Sequence, residues 1–309
     1  MSKRILVATE KPFAKSAVDA IKKVFDDAKF ETILLESYTS IDQLKDAIKD
    51  ADGVIVRSDK LTAEILESAK NLKIAVRAGA GYDNIDLDAA SKKKIVVMNT
   101  PGQNSNAVAE LAFGLMLYIA RRGYTGKDGT ELRGKTIGIH AYGYVGKYVA
   151  KIAKGFGMKI IAFDPYVDKK VMEDDGVEPV SKVEDLYKNS DYVSIHLPLI
   201  PQTEKFINYN LLSLLKKGAT VVNTARAEVI NEDDLFKIME ERQDIYYCAD
   251  VAPSNRKAFE EKFGLRVFFT AKKMGAQTVE ANNNAGIAAA RQIVNFFNNN
   301  DTTFQVNKF

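Results

Sequence analysis

The sequence predicts an α/β protein with two doubly wound parallel sheets, and three observations support this. Short β-branched runs alternate with helical patterns, the runs are apolar throughout, and the chain has 309 residues. Strands that are apolar on both faces are typical of a parallel sheet covered by helices on each side. Since a single core tends to divide beyond roughly 250 residues, we expect two domains.

The first series of elements precedes residue 105. Its predicted strands are 5–8, 54–56, 74–76 and 95–98. Apolar residues at helical spacing predict two amphipathic helices between the first two strands. Their apolar faces carry Phe13, Ala17, Ile21 and Val24, and then Ile41, Leu44 and Ile48. A longer helix is predicted over 104–121.

The second series begins after that helix. Its predicted strands are 136–140, 159–163, 192–196, 219–222, 245–249 and 267–269. Its predicted helices are 146–157, 181–188, 208–216 and 231–240, and a last helix covers 278–298. Ser181 and Glu184 have the spacing of a capping box, so we expect Ser181 to begin one of these helices.

Composition and charge narrow the function classes. The chain has 46% hydrophobic and 28% charged residues, as expected for a globular protein, and its formal charge of +3 is spread along the sequence. We therefore expect no nucleic-acid partner. No run approaches the roughly 20 apolar residues that span a bilayer, no signal peptide is visible, and Cys248 has no second cysteine to pair with. These features predict a cytoplasmic protein that does not bind membranes.

The segment 137–146 (IGIHAYGYVG) has the order strand, turn, helix. It fits the dinucleotide fingerprint with Ala141 in the position of the first glycine. Gly143 would let the backbone approach a pyrophosphate at the helix N-terminus, and Gly146 would let the helix pack closely on the strand. An ordinary tight turn is the alternative.

Asp164 follows the next predicted strand. A carboxylate in this position accepts hydrogen bonds from the adenosine ribose and repels a 2′-phosphate. Together, the glycine loop and this acidic residue favour a Rossmann domain that binds NAD rather than NADP.

Five further segments occur in a distinctive order. They are 77–86 (RAGAGYDNID), 97–101 (VMNTP), 194–199 (SIHLPL) with Thr203, 222–226 (VNTAR) and 249–251 (ADV). In this order they resemble the D-isomer-specific 2-hydroxyacid dehydrogenase family, and within it the phosphoglycerate dehydrogenases. The corresponding roles would be the substrate-carboxylate loop, the domain crossover, the nicotinamide-side loop, the catalytic arginine and the aspartate that holds the nicotinamide amide.

The resemblance implies a domain arrangement. A Rossmann cofactor domain of residues 100–278 would be inserted in a flavodoxin-like substrate domain of residues 1–99 and 279–309, with the active site between them. It also implies a homodimer formed through the cofactor domain. The C-terminal regulatory domain of many phosphoglycerate dehydrogenases would be absent.

The resemblance also implies site residues. Arg226 would orient the substrate carboxylate and stabilise the developing alkoxide, although a surface salt bridge is the alternative for any arginine. The cofactor-binding residues would be Tyr142, Gly143, Tyr144, Val145, Gly146, Asp164, His196, Leu197, Pro198, Thr203, Thr224, Ala225, Asp250 and Gly275. The substrate-binding residues would be Arg57, Ser58, Lys60, Arg77, Ala78, Gly79, Ala80, Gly81 and Asn104, with Arg57, Lys60 and Arg77 as candidates for a phosphate group. No metal ligand is predicted.

The general acid is the main departure from the family. Members carry a histidine two residues before a glycine, paired with a glutamate, whereas this chain has Lys273 before Gly275 and Asn255 at about the glutamate position. Only His140 and His196 are present, and we interpret both as structural. Either the enzyme is inactive or Lys273 is the acid.

A lysine acid is chemically coherent. The pKa of a free lysine is near 10.4, and a dry cleft with the Arg226 cation would lower it, whereas a glutamate would raise it again. The simultaneous loss of histidine and glutamate therefore fits a lysine acid, and it resembles a lysine-bearing subgroup of the family. Lys272 is the rival, and a surface lysine without a catalytic role is the remaining alternative.

The implied reaction is the NAD-dependent oxidation of 3-phosphoglycerate, a phosphorylated 2-hydroxy acid, to 3-phosphohydroxypyruvate, which begins serine synthesis. One alternative is a glyoxylate or hydroxypyruvate reductase without a phosphate site. Another is a catalytically weak NAD-responsive binding protein, which the missing histidine–glutamate pair motivates.

Overall fold

The computed structural model describes residues 2–309 and divides into two compact units. Unit 1 contains the described residues up to Asn104 together with Gln277–Phe309, and unit 2 is Ser105–Ala276. The crossovers therefore lie near residues 104 and 277, a few residues from the boundaries at 99 and 279 that the resemblance implies. Each unit has its own sheet and core.

Unit 1 is built on five parallel strands in the order β2-β1-β3-β4-β5. This is the flavodoxin-like order, and it confirms the predicted fold class for this unit. The elements are β1 Arg4–Thr9, α1 Lys15–Asp27, β2 Glu31–Glu36, α2 Ile41–Ile48, β3 Gly53–Val56, α3 Ala63–Ser68, β4 Ile74–Arg77, α4 Leu87–Lys92 and β5 Val96–Asn99.

Unit 2 has seven parallel strands in the order β12-β11-β10-β9-β6-β7-β8. Its first six strands have the Rossmann order, with the reversal between β6 and β9. The elements are α5 Ser105–Ala120, β6 Thr136–His140, α6 Tyr144–Gly155, β7 Lys159–Phe163, α7 Lys169–Asp174, β8 Glu178–Pro179, α8 Val183–Asn189, β9 Tyr192–Ile195, α9 Tyr209–Leu212, β10 Thr220–Asn223, α10 Glu232–Glu241, β11 Tyr246–Ala249, α11 Arg256–Phe263 and β12 Val267–Phe269.

The last helix, α12 Val279–Asn299, returns to unit 1 and packs on α1. The contact is close because α12 presents small residues. A Cβ at Gly286 would lie 2.8 Å from Cδ1 of Ile21. Alternate residues of β1 explain the two-sided core, since Leu6 faces the cluster under α2 and α3 while Ile5 and Val7 face the cluster under α1 and α12.

Several predicted elements were wrong or missing. Strand β2 was not predicted, although it forms one edge of the first sheet. Helix α9 is a single turn, Tyr209–Leu212, rather than the nine residues 208–216. Helix α8 begins at Val183 without a side-chain cap, and the Ser181 hydroxyl instead accepts a hydrogen bond from Lys169 Nζ at 2.9 Å. The capping box that does form is Ser40 with Gln43, at the start of α2.

The chain after α12 closes the other edge of the first sheet. The Asn307 side chain accepts a hydrogen bond from the backbone N–H of Val97 at 2.8 Å and donates one to the carbonyl of Ile95 at 2.9 Å. An exposed edge strand is a template for unwanted pairing, and this segment covers β5. Across residues 2–309, no helix combines the length and apolar character that crossing a membrane requires.

Candidate active site

The glycine loop joins β6 to α6 in unit 2. Ala141 has a positive φ of 79°, the left-handed region in which glycine is most favourable. Gly146 has no room for a side chain, because a Cβ there would lie 2.5 Å from the carbonyl oxygen of Ala141 and 3.1 Å from Cγ2 of Ile139. The backbone therefore has the shape of the fingerprint even though its first glycine is an alanine.

The N-terminus of α6 is open. Gly143 is the N-cap residue, and no side chain caps the helix. A Cβ at Gly143 would meet nothing within 4 Å. The free N–H groups of the first helical turn, Tyr144, Val145 and Gly146, can bind an anion, and they fit the pyrophosphate of a dinucleotide.

Asp164 holds the glycine loop as well as being the predicted ribose acceptor. Its carboxylate accepts hydrogen bonds from the backbone N–H groups of Tyr142 at 2.8 Å and Tyr166 at 2.9 Å. The side chain of Tyr142 is fully buried and its hydroxyl donates to Asp175 at 3.0 Å. Tyr142 thus supports the loop through its buried side chain and does not offer an exposed side chain to a cofactor.

The remaining cofactor candidates follow the carboxyl ends of β9, β10, β11 and β12. In open α/β sheets ligands bind in the crevice outside the carboxyl ends of the strands. Among residues 2–309, the buried hydroxyl of Thr224 has no hydrogen-bond partner, so it is available to a bound group. The chain between β9 and α9 is ordered by Thr203, whose hydroxyl donates to the Pro198 carbonyl and accepts from the Ile200 N–H at 3.0 Å. His196 and Leu197 are half-buried and Pro198 is exposed.

Arg226 lies in the turn that follows β10, three residues after the last strand residue, Asn223. The buried side chain of Asn223 holds this turn from both sides, since it accepts the N–H of Ala225 at 2.9 Å and donates to the carbonyl of Arg226 at 2.8 Å. Arg226 is half-buried, and one guanidinium nitrogen donates to the Ala225 carbonyl at 2.9 Å. Asn223 was not among the predicted residues, although it lies within the VNTAR segment.

The two histidines are unsuited to proton transfer near neutral pH. Burial lowers the pKa of His140 to about 3. Burial, and secondarily the proximity of His140, lower the pKa of His196 to about 3. His140 Nδ1 lies 3.1 Å from the Tyr187 hydroxyl and His196 Nε2 lies 2.9 Å from the Ser194 hydroxyl. Both rings are neutral near pH 7 and lie at the carboxyl ends of the interior strands β6 and β9.

Lys272 and Lys273 lie in the segment that follows β12, and both are exposed. Their backbone is anchored by Asp250, which is only 2% exposed. Its carboxylate accepts hydrogen bonds from the N–H groups of Met274 at 2.6 Å and Gly275 at 2.8 Å. Because the Lys273 side chain is exposed, the protein does not surround it with the dry environment expected from the sequence.

Asp250 was predicted to hold the nicotinamide amide. A carboxylate has about four acceptor positions. The N–H groups of Met274 and Gly275 occupy two, and the Thr270 hydroxyl occupies a third when its proton is not donated to the Lys272 or Asp250 carbonyl. At least one position is left for another donor. Asn255, at the family's glutamate position, is the N-cap residue of α11 and makes no side-chain cap.

In unit 1, the segment after β4 is only partly available to a substrate. The N–H of Ala78 donates to the Val56 carbonyl at 2.8 Å and the N–H of Gly79 donates to the Arg77 carbonyl at 2.9 Å. Ala80 and Gly81 are left as backbone donors for a carboxylate. Asn99 supports this loop, since its side chain donates to the Ala80 carbonyl at 2.5 Å.

The Arg57 side chain, predicted to bind the substrate phosphate, makes hydrogen bonds within unit 1. Its guanidinium donates to the carbonyls of Lys11 at 3.1 Å and Pro12 at 3.2 Å and to Asn282 Oδ1 at 2.5 Å. Arg77 Nε donates to the Arg57 carbonyl at 2.9 Å. Ser58 and Lys60 are exposed beside Arg57, and Asn104 is half-buried just before α5.

Comparison with known proteins agrees with this geometry. Residues 113–274 match the family model described as D-isomer specific 2-hydroxyacid dehydrogenase, NAD binding domain. The crystal structure of NAD+-bound 3-phosphoglycerate dehydrogenase from Entamoeba histolytica superposes with a TM-score of 0.91 at 48% identity, covering 100% of both chains.

Two curated relatives differ in their described activity. A D-3-phosphoglycerate dehydrogenase from Methanocaldococcus jannaschii is 40% identical over 82% of this chain and 51% of its own length, so the chain spans about half of that relative. A hydroxypyruvate reductase from Thermotoga maritima is 38% identical over 86% of this chain and 91% of its own length. The matches confirm the predicted family and its NAD-binding domain, and this chain belongs to the D-isomer specific 2-hydroxyacid dehydrogenase family.

Proposed function

We propose that this chain is an NAD-dependent dehydrogenase that oxidises 3-phosphoglycerate to 3-phosphohydroxypyruvate, with Lys273 as general acid and base. This reaction would begin serine synthesis. The observation that carries the proposal is the full-length similarity, at 48% identity, to a structure described as a 3-phosphoglycerate dehydrogenase with bound NAD+. Unit 2 would bind the cofactor and unit 1 the substrate.

The cofactor site is proposed to use the α6 N-terminus for the pyrophosphate, Asp164 for the ribose, and Thr224 and Asp250 toward the nicotinamide. Bound NAD+ would supply the hydride acceptor. The hydride would come from C2 of the substrate, while the neutral amine of Lys273 accepts the proton of the C2 hydroxyl. Arg226 would hold the substrate carboxylate and the oxygen on which negative charge develops.

Lys273 must be deprotonated to accept that proton, and the pKa of a free lysine is near 10.4. We propose that the positive charges of Arg226 and the oxidised nicotinamide lower its pKa in the complex with cofactor and substrate. The rate of oxidation should then rise toward alkaline pH. The reverse reduction would use the protonated amine as acid.

A second candidate is a hydroxypyruvate or glyoxylate reductase. The Thermotoga maritima relative favours it, because that protein is described as a hydroxypyruvate reductase and is covered over 91% of its length. A glyoxylate reductase from Thermococcus litoralis is 35% identical over 82% of this chain. The two candidates differ in whether the substrate phosphate is recognised.

Lys60→Glu separates these candidates. Lys60 is exposed beside Arg57, so charge reversal there should not disturb the fold, whereas changing Arg57 would release Lys11 and Pro12. We expect the KM for 3-phosphoglycerate to rise about tenfold or more, since a lost charge-assisted contact is worth roughly 1.5–3 kcal/mol. The KM for hydroxypyruvate should stay within about twofold of wild type.

The matched control is Lys70→Glu, which reverses another exposed lysine of unit 1. Equal kinetics of the Lys60→Glu and Lys70→Glu variants would contradict the proposed phosphate site. Preferred turnover of hydroxypyruvate by the wild type would favour the reductase. NADH binding without turnover of any of these acids would favour a binding protein.

We also propose a homodimer formed through unit 2, as the family resemblance implies. Light scattering of the intact chain tests this directly. A mass of about twice the 34.2 kDa chain is expected, and a monomer would contradict it.

A further inference from the structure

We infer that Asp250 and Thr270 are positioning residues that fix the backbone on both sides of Lys273. This inference rests on the proposed role of Lys273 as the acid and base. It assigns to Asp250 a task in addition to the predicted contact with the cofactor, and to Thr270 a task that the sequence pattern did not indicate.

The peptide group after Lys273 is held by Asp250. Oδ1 of Asp250 accepts the N–H of Met274 at 2.6 Å, and Oδ2 accepts the N–H of Gly275 at 2.8 Å. Hydrogen bonds to an ionised acceptor are roughly twice as strong as neutral ones. The chain immediately C-terminal to Lys273 is therefore fastened to a buried carboxylate.

The peptide group before Lys273 is held by Thr270. Its hydroxyl lies 2.8 Å from the carbonyl oxygen of Lys272, 2.9 Å from Asp250 Oδ1 and 3.1 Å from the Asp250 carbonyl oxygen, and it can donate its single proton to any one of them. The peptide planes on both sides of the Cα of Lys273 therefore lie within hydrogen-bond distance of the same pair of side chains. Such ties restrict the φ and ψ of Lys273, which are the two soft backbone torsions of a residue.

The anchors themselves are rigid. Asp250 and Thr270 are 2% and 8% exposed and follow the paired strands β11 and β12, whose Ala249 and Phe269 are in register. Arg256 adds a hydrogen bond to the Thr270 carbonyl at 2.9 Å. The backbone of the exposed Lys273 is thereby held by two buried, hydrogen-bonded residues, Asp250 and Thr270.

Gly275 makes the support close-fitting. A Cβ there would lie 3.1 Å from both Asp250 Oδ2 and Val108 Cγ2. A side chain at this position would require Asp250 or Val108 to shift by a few tenths of an ångström. The glycine thus fits the close approach between its N–H and the carboxylate.

A reason for such anchoring follows from the chemistry. A general base works only within about 2.6–3.2 Å of the proton it accepts, and a misplacement of about 1 Å can cost roughly a hundredfold in rate. The lysine side chain is long and flexible, so the position of its amine depends on a fixed Cα. Support of this kind should affect kcat more than cofactor binding.

Thr270→Val tests the inference, because it removes the hydroxyl and keeps the shape. We expect kcat for 3-phosphoglycerate oxidation to fall about tenfold or more, with the Kd of NADH within about twofold of wild type. Thr270→Ser restores the hydroxyl and should recover most of the rate. Thr220→Val is the matched control, because Thr220 is 3% exposed and is the first residue of β10, at the amino end of that strand and away from the carboxyl ends that precede Asp250 and Thr270.

The same substitution in the Lys273→Ala background shows whether Thr270 acts through the lysine. Without the lysine, Thr270→Val should change the residual rate by less than about twofold, because interacting residues are not additive. An equal fall in both backgrounds, or no fall in the wild type, would overturn the inference.

Hydrogen exchange of the Met274 and Gly275 amides separates the inference from the proposed function. Both amides donate to Asp250, so faster exchange is expected in an Asp250→Asn variant, which leaves one acceptor oxygen for the two amides, whether or not Lys273 is catalytic. Unchanged exchange would overturn the anchoring alone. Wild-type activity of Lys273→Ala, with the anchoring intact, would instead overturn the assignment of the lysine.

Discussion

The backbone N–H of Tyr142 donates a hydrogen bond to the carboxylate of Asp164 at 2.8 Å. This bond joins the two halves of the dinucleotide fingerprint, the glycine loop after β6 and the acidic residue after β7. Asp164 also accepts the N–H of Tyr166 at 2.9 Å, so two backbone donors fix its orientation. The residue proposed to bind the ribose is therefore also part of the support of the pyrophosphate loop.

Asp164→Asn should change the choice of cofactor. The amide keeps one acceptor oxygen but removes the negative charge that would repel a 2′-phosphate. We expect the ratio of the Kd of NADPH to that of NADH, measured by fluorescence titration, to fall about tenfold or more. Asp168→Asn, which alters the exposed cap residue of α7, should leave the ratio unchanged. An unchanged ratio in the Asp164 variant would contradict its proposed role.

Ala141→Gly should stabilise the protein. Ala141 has a φ of 79°, which costs an alanine about 1–2 kcal/mol, and the greater freedom of glycine in the unfolded chain offsets part of the gain. We expect a net increase of roughly 0.5–1 kcal/mol in the free energy of unfolding. Denaturant unfolding measures it, and a decrease would show that the alanine is not strained.

Gly143→Ala and Gly146→Ala should have different effects although both change the glycine loop. A Cβ at Gly143 meets nothing within 4 Å, whereas one at Gly146 would lie 2.5 Å from the Ala141 carbonyl oxygen. We expect Gly143→Ala to weaken NADH binding while unfolding stays unchanged. Gly146→Ala should lower the free energy of unfolding by about 1–3 kcal/mol, a typical cost of overpacking. Unaltered NADH affinity of Gly143→Ala would contradict the proposed approach of the pyrophosphate.

Stability should fall in mild acid because of His140. Burial lowers its pKa from 6.5 to about 3, so the unfolded chain binds a proton between these values and the folded chain does not. The free energy of unfolding therefore decreases as pH drops below about 6.5, by roughly 2 kcal/mol at pH 5 for this residue. Half-buried His196 should add to the decrease in the same direction.

The measurement is the slope of unfolding free energy against pH, between pH 5 and 7.5, for the wild type and His140→Asn. The variant should have the shallower slope. Tyr187→Phe removes the hydrogen-bond partner of His140 but keeps the titrating ring, so its slope should resemble that of the wild type. Equal slopes in the wild type and His140→Asn would contradict the assignment.

The fold class could be predicted because continuous apolar strands leave a strong local pattern. Strand β2 was missed because Glu31 and Glu36 enclose only a short apolar run and the strand lies at a sheet edge, where most of its residues are half-buried. The capping box was misplaced because Ser181 and Ser40 have similar local sequences, and only tertiary context separates them. The closing of β5 by Asn307 joins residues more than 200 positions apart, which no local pattern reveals.

Parts of the candidate site could be predicted because the sequence motifs mark the ends of strands. The glycine loop, Asp164 and Asp250 lie where parallel strands end, so order along the chain was enough to predict these positions. The supporting residues were not predicted. Asn223 and Thr270 act through bonds to backbone groups of neighbouring segments, and a buried asparagine or threonine looks alike in sequence whether or not it does so. The exposure of Lys273 also differs from the dry site that its proposed chemistry suggested.

The most direct test of the central claim follows NADH absorbance during 3-phosphoglycerate oxidation from pH 6 to 10, for the wild type, Lys273→Ala and Lys272→Ala, with and without methylamine. We expect wild-type turnover to rise toward alkaline pH and Lys273→Ala to lose about a hundredfold or more, the usual contribution of a general base. Methylamine should restore part of the lost rate by replacing the amine, and Lys272→Ala should stay close to wild type. Wild-type turnover and an unchanged pH profile in the Lys273→Ala variant would contradict the account.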